Sequence, residues 1–291
     1  MAFLDDNYLI TNETGKRIFN AVKDLPVIDP HNHADVKEIA DNNCYSNAWQ
    51  LFAATDHYVW ELLRKRGVPE ELITGKADPR SKFLAMAKVF PETAGNPLYE
   101  WIHLDLRRYF GIDLLLNEEN GPKIWEEVNA KLATGAFRPQ ALLTGPLNVE
   151  AMSSTDDLID TLENHDRANK AFGRTLIRPT WRPDKAMKIF APGWRDYIGQ
   201  VEKRFGMKIA TLSDLLDATK KSHDFFAEHG CRASDHGIEY PVRADYRFED
   251  ADAAFRKALS GKELTQEETD CYMGTFLAEA AALNAETGWV T

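Results

Sequence analysis

The chain has 291 residues, 44% of them hydrophobic and 28% charged, an ordinary globular balance with length for one large domain or two smaller ones. A formal net charge of -11 argues against nucleic acid or an anionic membrane as the main partner, while leaving room for a locally positive pocket and an anionic small molecule. Cys44, Cys231 and Cys271 stand far apart with no C-x-x-C, no basic n-region leads into an apolar h-region at the start, and no apolar run approaches membrane-spanning length; together these predict a cytoplasmic protein.

Residues 13–24 predict a helix capped by Asn12 or Thr14, with Ile18, Phe19 and Val22 as its apolar positions. Residues 25–35 read LPVIDPHNHAD, where a short apolar run flanked by Pro26 and Pro30 predicts one buried strand that stops abruptly. A mostly helical tract follows, from about 37 to 145. Within it Ser46 is the expected cap of a helix running to Arg66, with Gly67 just past its end. Phe83, Leu84, Ala87 and Phe90 repeat at helical spacing, Pro97 suits a first turn, and a helix over 123–132 ends before Gly135.

The rhythm then changes. VEAMSS at 149–154 predicts a strand, with Thr155 capping a helix after it, and TLIRPTW at 175–181 predicts the next strand. A helix over 211–229 closes at Gly230, CRASDH at 231–236 forms a short strand, and Thr265 with Glu268 makes a capping box for a helix through 284. Gly288 ends that helix and residues 289–291 begin another strand. Alternating strands and helices predict a parallel α/β architecture. Four strands and a fifth at the C-terminus fall short of eight, so the expectation is a (β/α)8 TIM barrel that is C-terminally incomplete, part of a longer protein.

Strand ends carry the candidate chemistry. His31 and His33 are separated by one residue, and in extended backbone such a pair points to one side, so both imidazoles can face one ion; as a plain alternative they are polar loop residues. His57 and Tyr58 follow Asp56 on or near a helix, where neighbours do not share a face; propensity alone favours an exposed histidine and a half-buried tyrosine. In MSSTDD, Asp156 and Asp157 read best as first-turn acids of a helix, while Ser153 and Ser154 could line a barrel mouth. Arg178 and Arg182 sit at and beyond a strand end, and a guanidinium fork there suits a carboxylate; an ion pair with Asp184 or a surface role is the competing reading. Asp235 and His236 could ligate metal, orient a ligand or contact substrate, or form a plain loop with Gly237. His103, His165, His223 and His229 lie in helical patterns and read as structural or solvated. There is no Walker loop, no G-x-S-x-G and no G-x-G-x-x-G.

Taken in order, VIDPHNHAD, TDHYVWELLRKRG, SSTDD, RPTWRPDK and GCRASDHG resemble uronate isomerase (glucuronate isomerase), a family of the amidohydrolase superfamily. The resemblance implies a (β/α)8 barrel over residues 1–291 with a helical insertion at about 37–145. It also implies interconversion of D-glucuronate with D-fructuronate and of D-galacturonate with D-tagaturonate through an enediol. By that likeness His31 and His33 match the first-strand metal ligands, with zinc the usual ion. His57 and Tyr58 match the family's pair beside the substrate, and Arg182 matches its active-site arginine. The roles expected are Tyr58 and His57 in catalysis, and Arg182, His57 and Asp235 in substrate binding. The expected partner is a small hexuronate, with neither nucleic acid nor membrane, and self-association is left open. The family chain continues past GWV with a later histidine and a last-strand aspartate that complete its metal site. A metal-dependent hydrolase of the same superfamily and an inactive fragment are the competing readings.

Overall fold

Short polar side chains set several helix starts in the computed structural model, which describes residues 4–5, 7–243 and 245–291. Residues 1–3, the head of the stretch searched above for a leader, lie outside the described residues. Two compact units divide the chain, one of Met1–Val27 with Asn42–Asn148 and one of Ile28–Asp41 with Val149–Thr291.

The first unit is helical. Asn12, not Thr14, caps Glu13–Val22 by accepting the Gly15 amide at 2.8 Å. The single helix expected from Ser46 to Arg66 is instead two, Ala48–Phe52 and His57–Lys65. Asn47 caps the first, while the Ser46 hydroxyl turns to Gln50 Oε1. The break has a local cause: the Asp56 carboxylate accepts the amides of both Tyr58 and Val59, which starts a new helix there. Asp78 and Asn96 likewise cap Pro79–Val89 and Pro97–Arg108, each with proline in its first turn. Phe83, Met86 and Ala87 face inward from Pro79–Val89 onto a core that includes Leu63, Leu106, Phe110 and Ile124. Complete burial of each such large side chain contributes about 1.5–3 kcal/mol. His103 is structural, its Nε2 accepting the Leu116 amide at 2.8 Å and its Nδ1 facing the Tyr99 carbonyl at 2.6 Å.

The second unit holds the sheets. Strands β1 (Val27–Asp29), β2 (Val149–Ser153) and β4 (Ile177–Arg178) lie in the order β1-β2-β4, and β3 (Asp156–Asp157) pairs with β5 (Trp181–Arg182). The β2–β4 and β3–β5 pairs are parallel, with Met152 opposite Ile177 and Asp156 opposite Trp181. Parallel bridges from Trp181 to Ser234 and from Ala233 to Val290 carry the pattern on, so 231–236 and 289–291 contribute bridges rather than full strands. The strand expected over 175–181 is interrupted at Pro179, which has no N–H to donate to a ladder. Among the described residues the sheets stay open and no barrel closes.

Two strand-end expectations need correction. The run beside His31 is not buried: β1 sits at the sheet edge beside β2 alone, and Ile28 is 72% exposed. Nor does Thr155 start a helix. The Asp156 amide donates to the Thr180 carbonyl, so the backbone there is already committed to a strand, and the next helix is Glu163–Phe172. Helices Trp194–Phe205, Leu212–Glu228, Phe248–Leu259 and Gln266–Thr287 build the core of this unit around Trp181, Phe226, Phe255, Tyr272 and Phe276. The capping box of Thr265 and Glu268 is present as read, and Gly288 ends its helix at φ +70°, where a side chain would be strained.

Candidate functional site

The loop after β1 is held by its own polar side chains. Asp29 accepts the His31 amide at 3.3 Å and Asn32 Nδ2 at 3.1 Å, and the Asn32 amide donates to the Ser153 carbonyl at 3.0 Å. This tie brings His31 and His33 to the end of β2 with their rings nearly perpendicular and their Nε2 atoms 3.3 Å apart. Two nitrogens each about 2.0–2.1 Å from one ion at a roughly tetrahedral angle are separated by about 3.3 Å. The pair therefore fits as two donors to one divalent cation. Among the described residues no group of three or more His, Cys, Asp and Glu is gathered as a ligand set, so these two are the donors that the structure brings together.

Asp235 links this pair to the arginine. Its Oδ2 lies 3.0 Å from Arg182 Nε and 3.9 Å from His31 Nδ1, and its amide donates to the Trp181 carbonyl at 3.1 Å. The competing role for Arg182 is also realised, since its Nη2 lies 3.5 Å from Asp184 Oδ2. Asp184 in turn accepts the Gly237 amide at 2.8 Å and faces His236 Nδ1 at 3.5 Å. Burial pushes the Asp184 carboxyl up, but His236, the Gly237 amide and Arg182 outweigh it and hold the group below the usual carboxylate range. His236 Nδ1 and Asp184 Oδ1 face each other without a hydrogen bond, and Ser234 Oγ lies 3.1 Å from His236 Nε2.

Beneath the histidines lies a cluster that the sequence reading left out. Ser154 donates to Asp156 Oδ2 at 2.7 Å, and His165 Nε2 is 2.7 Å from the same hydroxyl. Ser154 is 1% exposed, His165 4% and Asp156 8%, so Ser154 lines no open mouth and Asp156 caps no helix. Met152, Ser154, Asp156 and Leu158 are buried alternately, the period of a strand that continues beyond VEAMSS. Asp157, also read as a cap, accepts the Tyr197 hydroxyl at 2.6 Å and pairs with Lys185 at 3.0 Å. A cavity of about 340 Å³ opens alongside, with His33, Thr155, Asp160 and His165 among its walls.

His57 and Tyr58 belong to the first unit. They open the helix His57–Lys65, both exposed, Tyr58 at 73%. The His57 ring meets Trp60 edge-on at 4.7 Å, and Tyr58 borders a shallow cleft with Leu62, Pro97 and Trp101.

Comparison with known proteins bears on the whole length. The sequence model of the family described as glucuronate isomerase matches residues 1–291. A uronate isomerase of Thermotoga maritima is 47% identical over 289 residues, 99% of this chain and 63% of the relative. A Bacillus licheniformis uronate isomerase is 40% identical over 288 residues, again 99% of this chain and 61% of the relative. The crystal structure of the Thermotoga maritima uronate isomerase superposes with a TM-score of 0.96 at 46% identity, covering 100% of this chain and 64% of that one. The crystal structure of glucuronate isomerase from Caulobacter crescentus gives 0.92 at 25% identity, covering 99% and 62%. The chain thus spans less than two thirds of the length of these relatives.

Proposed function

Since this chain belongs to the glucuronate isomerase family, we propose that it supplies the ion-binding and carboxylate-binding side of a hexuronate aldose–ketose isomerase. The substrates proposed are D-glucuronate, converted to D-fructuronate, and D-galacturonate, converted to D-tagaturonate. In this reading the parallel strands are leading members of a (β/α)8 barrel, and the tract from about 37 to 145 is a helical insertion after the first of them; parallel pairing in chain order supports it. Three unpaired cysteines suit the cytoplasm as its compartment, and among the described residues no helix is long and apolar enough to cross a membrane.

Turning an aldose into a ketose removes the proton on C2 and returns one to C1 through an enediol. A divalent ion, zinc in this proposal, supplies Lewis-acid polarisation of the carbonyl when bound. His31 and His33 hold it as two of its ligands. Arg182 anchors the substrate carboxylate through its guanidinium, and Asp235 aims that guanidinium. For His57 a role in substrate binding and catalysis, and for Tyr58 one in proton movement, are proposed from their place in the TDHYVW motif alone.

The observation that carries the proposal is the position of Asp235 Oδ2, 3.0 Å from Arg182 Nε and 3.9 Å from His31 Nδ1, which sets the guanidinium beside a pair of imidazoles. Calorimetry on the zinc-loaded chain tests it. One-to-one binding of D-glucuronate is expected, with none of D-glucose, and with loss in both Arg182→Met and His33→Ala. Equal binding of the acid and the neutral sugar would overturn the proposal. For Tyr58, exchange of the C2 hydrogen with deuterium oxide is the readout: Tyr58→Phe keeps affinity and loses exchange, and unchanged exchange removes the role.

A further inference from the structure

His33 has a neighbour on the side away from His31. Thr155 Oγ1 lies 3.3 Å from His33 Nδ1, while the carboxylate nearest the pair among the described residues, Asp235 at 3.9 Å from His31 Nδ1, is beyond hydrogen-bond reach. A neutral imidazole carries one proton. With that proton on Nδ1, Nε2 presents a lone pair; with it on Nε2, an N–H points into the 3.3 Å gap between the rings and no ion can sit there.

Thr155 is itself held from both sides. Ser154 and Asp156 flank it and point inward, as alternation requires, and both are almost fully buried. The Ser154 amide donates to the Arg178 carbonyl at 3.0 Å and the Asp156 amide to Thr180 at 3.0 Å. Asp156 Oδ2 accepts the Ser154 hydroxyl at 2.7 Å and the Thr180 amide at 3.1 Å. With the serine proton given to Asp156, His165 Nε2–H donates to Ser154 Oγ at 2.7 Å, and Asp156 Oδ1 stands 3.4 Å from the same nitrogen. Serine, histidine and aspartate together suggest a nucleophile, but this hydroxyl is sealed from any substrate and already spent on Asp156. The cluster clamps the backbone instead, and what it presents on the opposite face is the Thr155 side chain.

We propose that Thr155 is a positioning residue for His33: its hydroxyl accepts the Nδ1–H of the ring, leaving Nε2 bare and turned toward His31, with the buried Ser154–Asp156–His165 cluster as the clamp behind it. A partner on the far nitrogen fixes both ring orientation and tautomer of a metal-binding histidine. The inference rests on the ion-binding reading of His31 and His33 for its purpose, but the tautomer it assigns is a property of the chain without metal.

The test uses the full chain labelled with 15N-histidine and stripped of metal, with the His33 signals assigned by His33→Gln. Long-range 1H–15N spectra are expected to show the Nδ1–H tautomer at His33 in the parent and in Thr155→Ser, and a mixture in the near-isosteric Thr155→Val. Zinc titrated against a chromophoric chelator gives the second readout: about 10–100-fold weaker binding in Thr155→Val, recovered in Thr155→Ser. An unchanged tautomer in Thr155→Val overturns the inference whatever zinc does. Failure of the parent chain to bind zinc would instead sink the ion-binding reading, and the tautomer spectra would still decide the role of Thr155.

Discussion

Asp235 Oδ2 stands 3.0 Å from Arg182 Nε, and each of the two side chains is more than a quarter exposed. Arg182 Nε is itself buried, but the rest of both side chains reaches solvent and the guanidinium also has Asp184, so the pair adds at most about 1 kcal/mol to folding. Its use lies in aim: a carboxylate 3.0 Å from Nε biases the direction in which the guanidinium fork points. Asp235→Ala is therefore expected to leave the urea midpoint nearly unmoved while weakening D-glucuronate binding by calorimetry. Arg182→Met removes the charged hydrogen bonds altogether, each about 1.5–3 kcal/mol, and should cost affinity about 10–100-fold. If Asp235→Ala lowers the midpoint and leaves affinity alone, the pair is structural.

Tyr197 gives a stability test in the same unit. Its buried hydroxyl donates to Asp157 Oδ1 at 2.6 Å, and burial together with the Asp157 charge pushes the phenol far above its ordinary range. Tyr197→Phe removes one hydrogen bond to a charged acceptor but leaves Asp157 with Lys185 and the Ile159 amide. A loss of about 1.5–3 kcal/mol in urea unfolding is expected. A change below about 0.5 kcal/mol would mean that water replaces the phenol at no cost.

What the sequence disclosed divides by the range of the force involved. Asn12, the Thr265–Glu268 box and Gly288 were readable because a cap bonds to backbone groups within three or four residues of itself. Asp156 was misread for the opposite reason: its partner Thr180 is 24 residues away, and nothing in SSTDD announces that its amides are already paired. The exposure of Ile28 depends on sheet order, which no local pattern encodes. Within the site, His31, His33, Arg182 and Asp235 stood out as polar groups at strand ends, and these four the structure brings together. His165 did not, because a histidine on a helix looks the same whether it faces solvent or a buried serine.

Capping offers a sharper check on those local readings. Thr265 accepts the Glu268 amide at 3.2 Å while Glu268 reaches back to the Thr265 amide at 2.7 Å, opening the long helix Gln266–Thr287. Thr265→Ala should cost about 1 kcal/mol of stability and Thr265→Ser almost nothing. Loss in both variants would point to the threonine methyl, not the hydroxyl.

Asp105 carries a pH signature. It lies on Pro97–Arg108 beside an apolar hollow of about 220 Å³ bordered by Phe52, Tyr109, Phe110 and Leu147. Burial pushes its carboxyl up to about 6, against the opposing pull of Arg108. In the unfolded chain the same group titrates near about 3.9. Between those two values the folded state binds more protons than the unfolded one, so stability falls as pH rises from about 4 to about 6 and then levels off. Below about 4 both states are protonated and the carboxyl costs nothing. Asp105→Asn abolishes the ionised form, so it should stabilise the protein at pH 7 by about 1–2 kcal/mol, a figure already reduced for the partial exposure of the side chain. At about pH 3, where both states are protonated, the variant and the parent should have the same urea midpoint. A gain of equal size at both pH values would assign the effect to packing against Phe110 and Leu147 instead of to the charge.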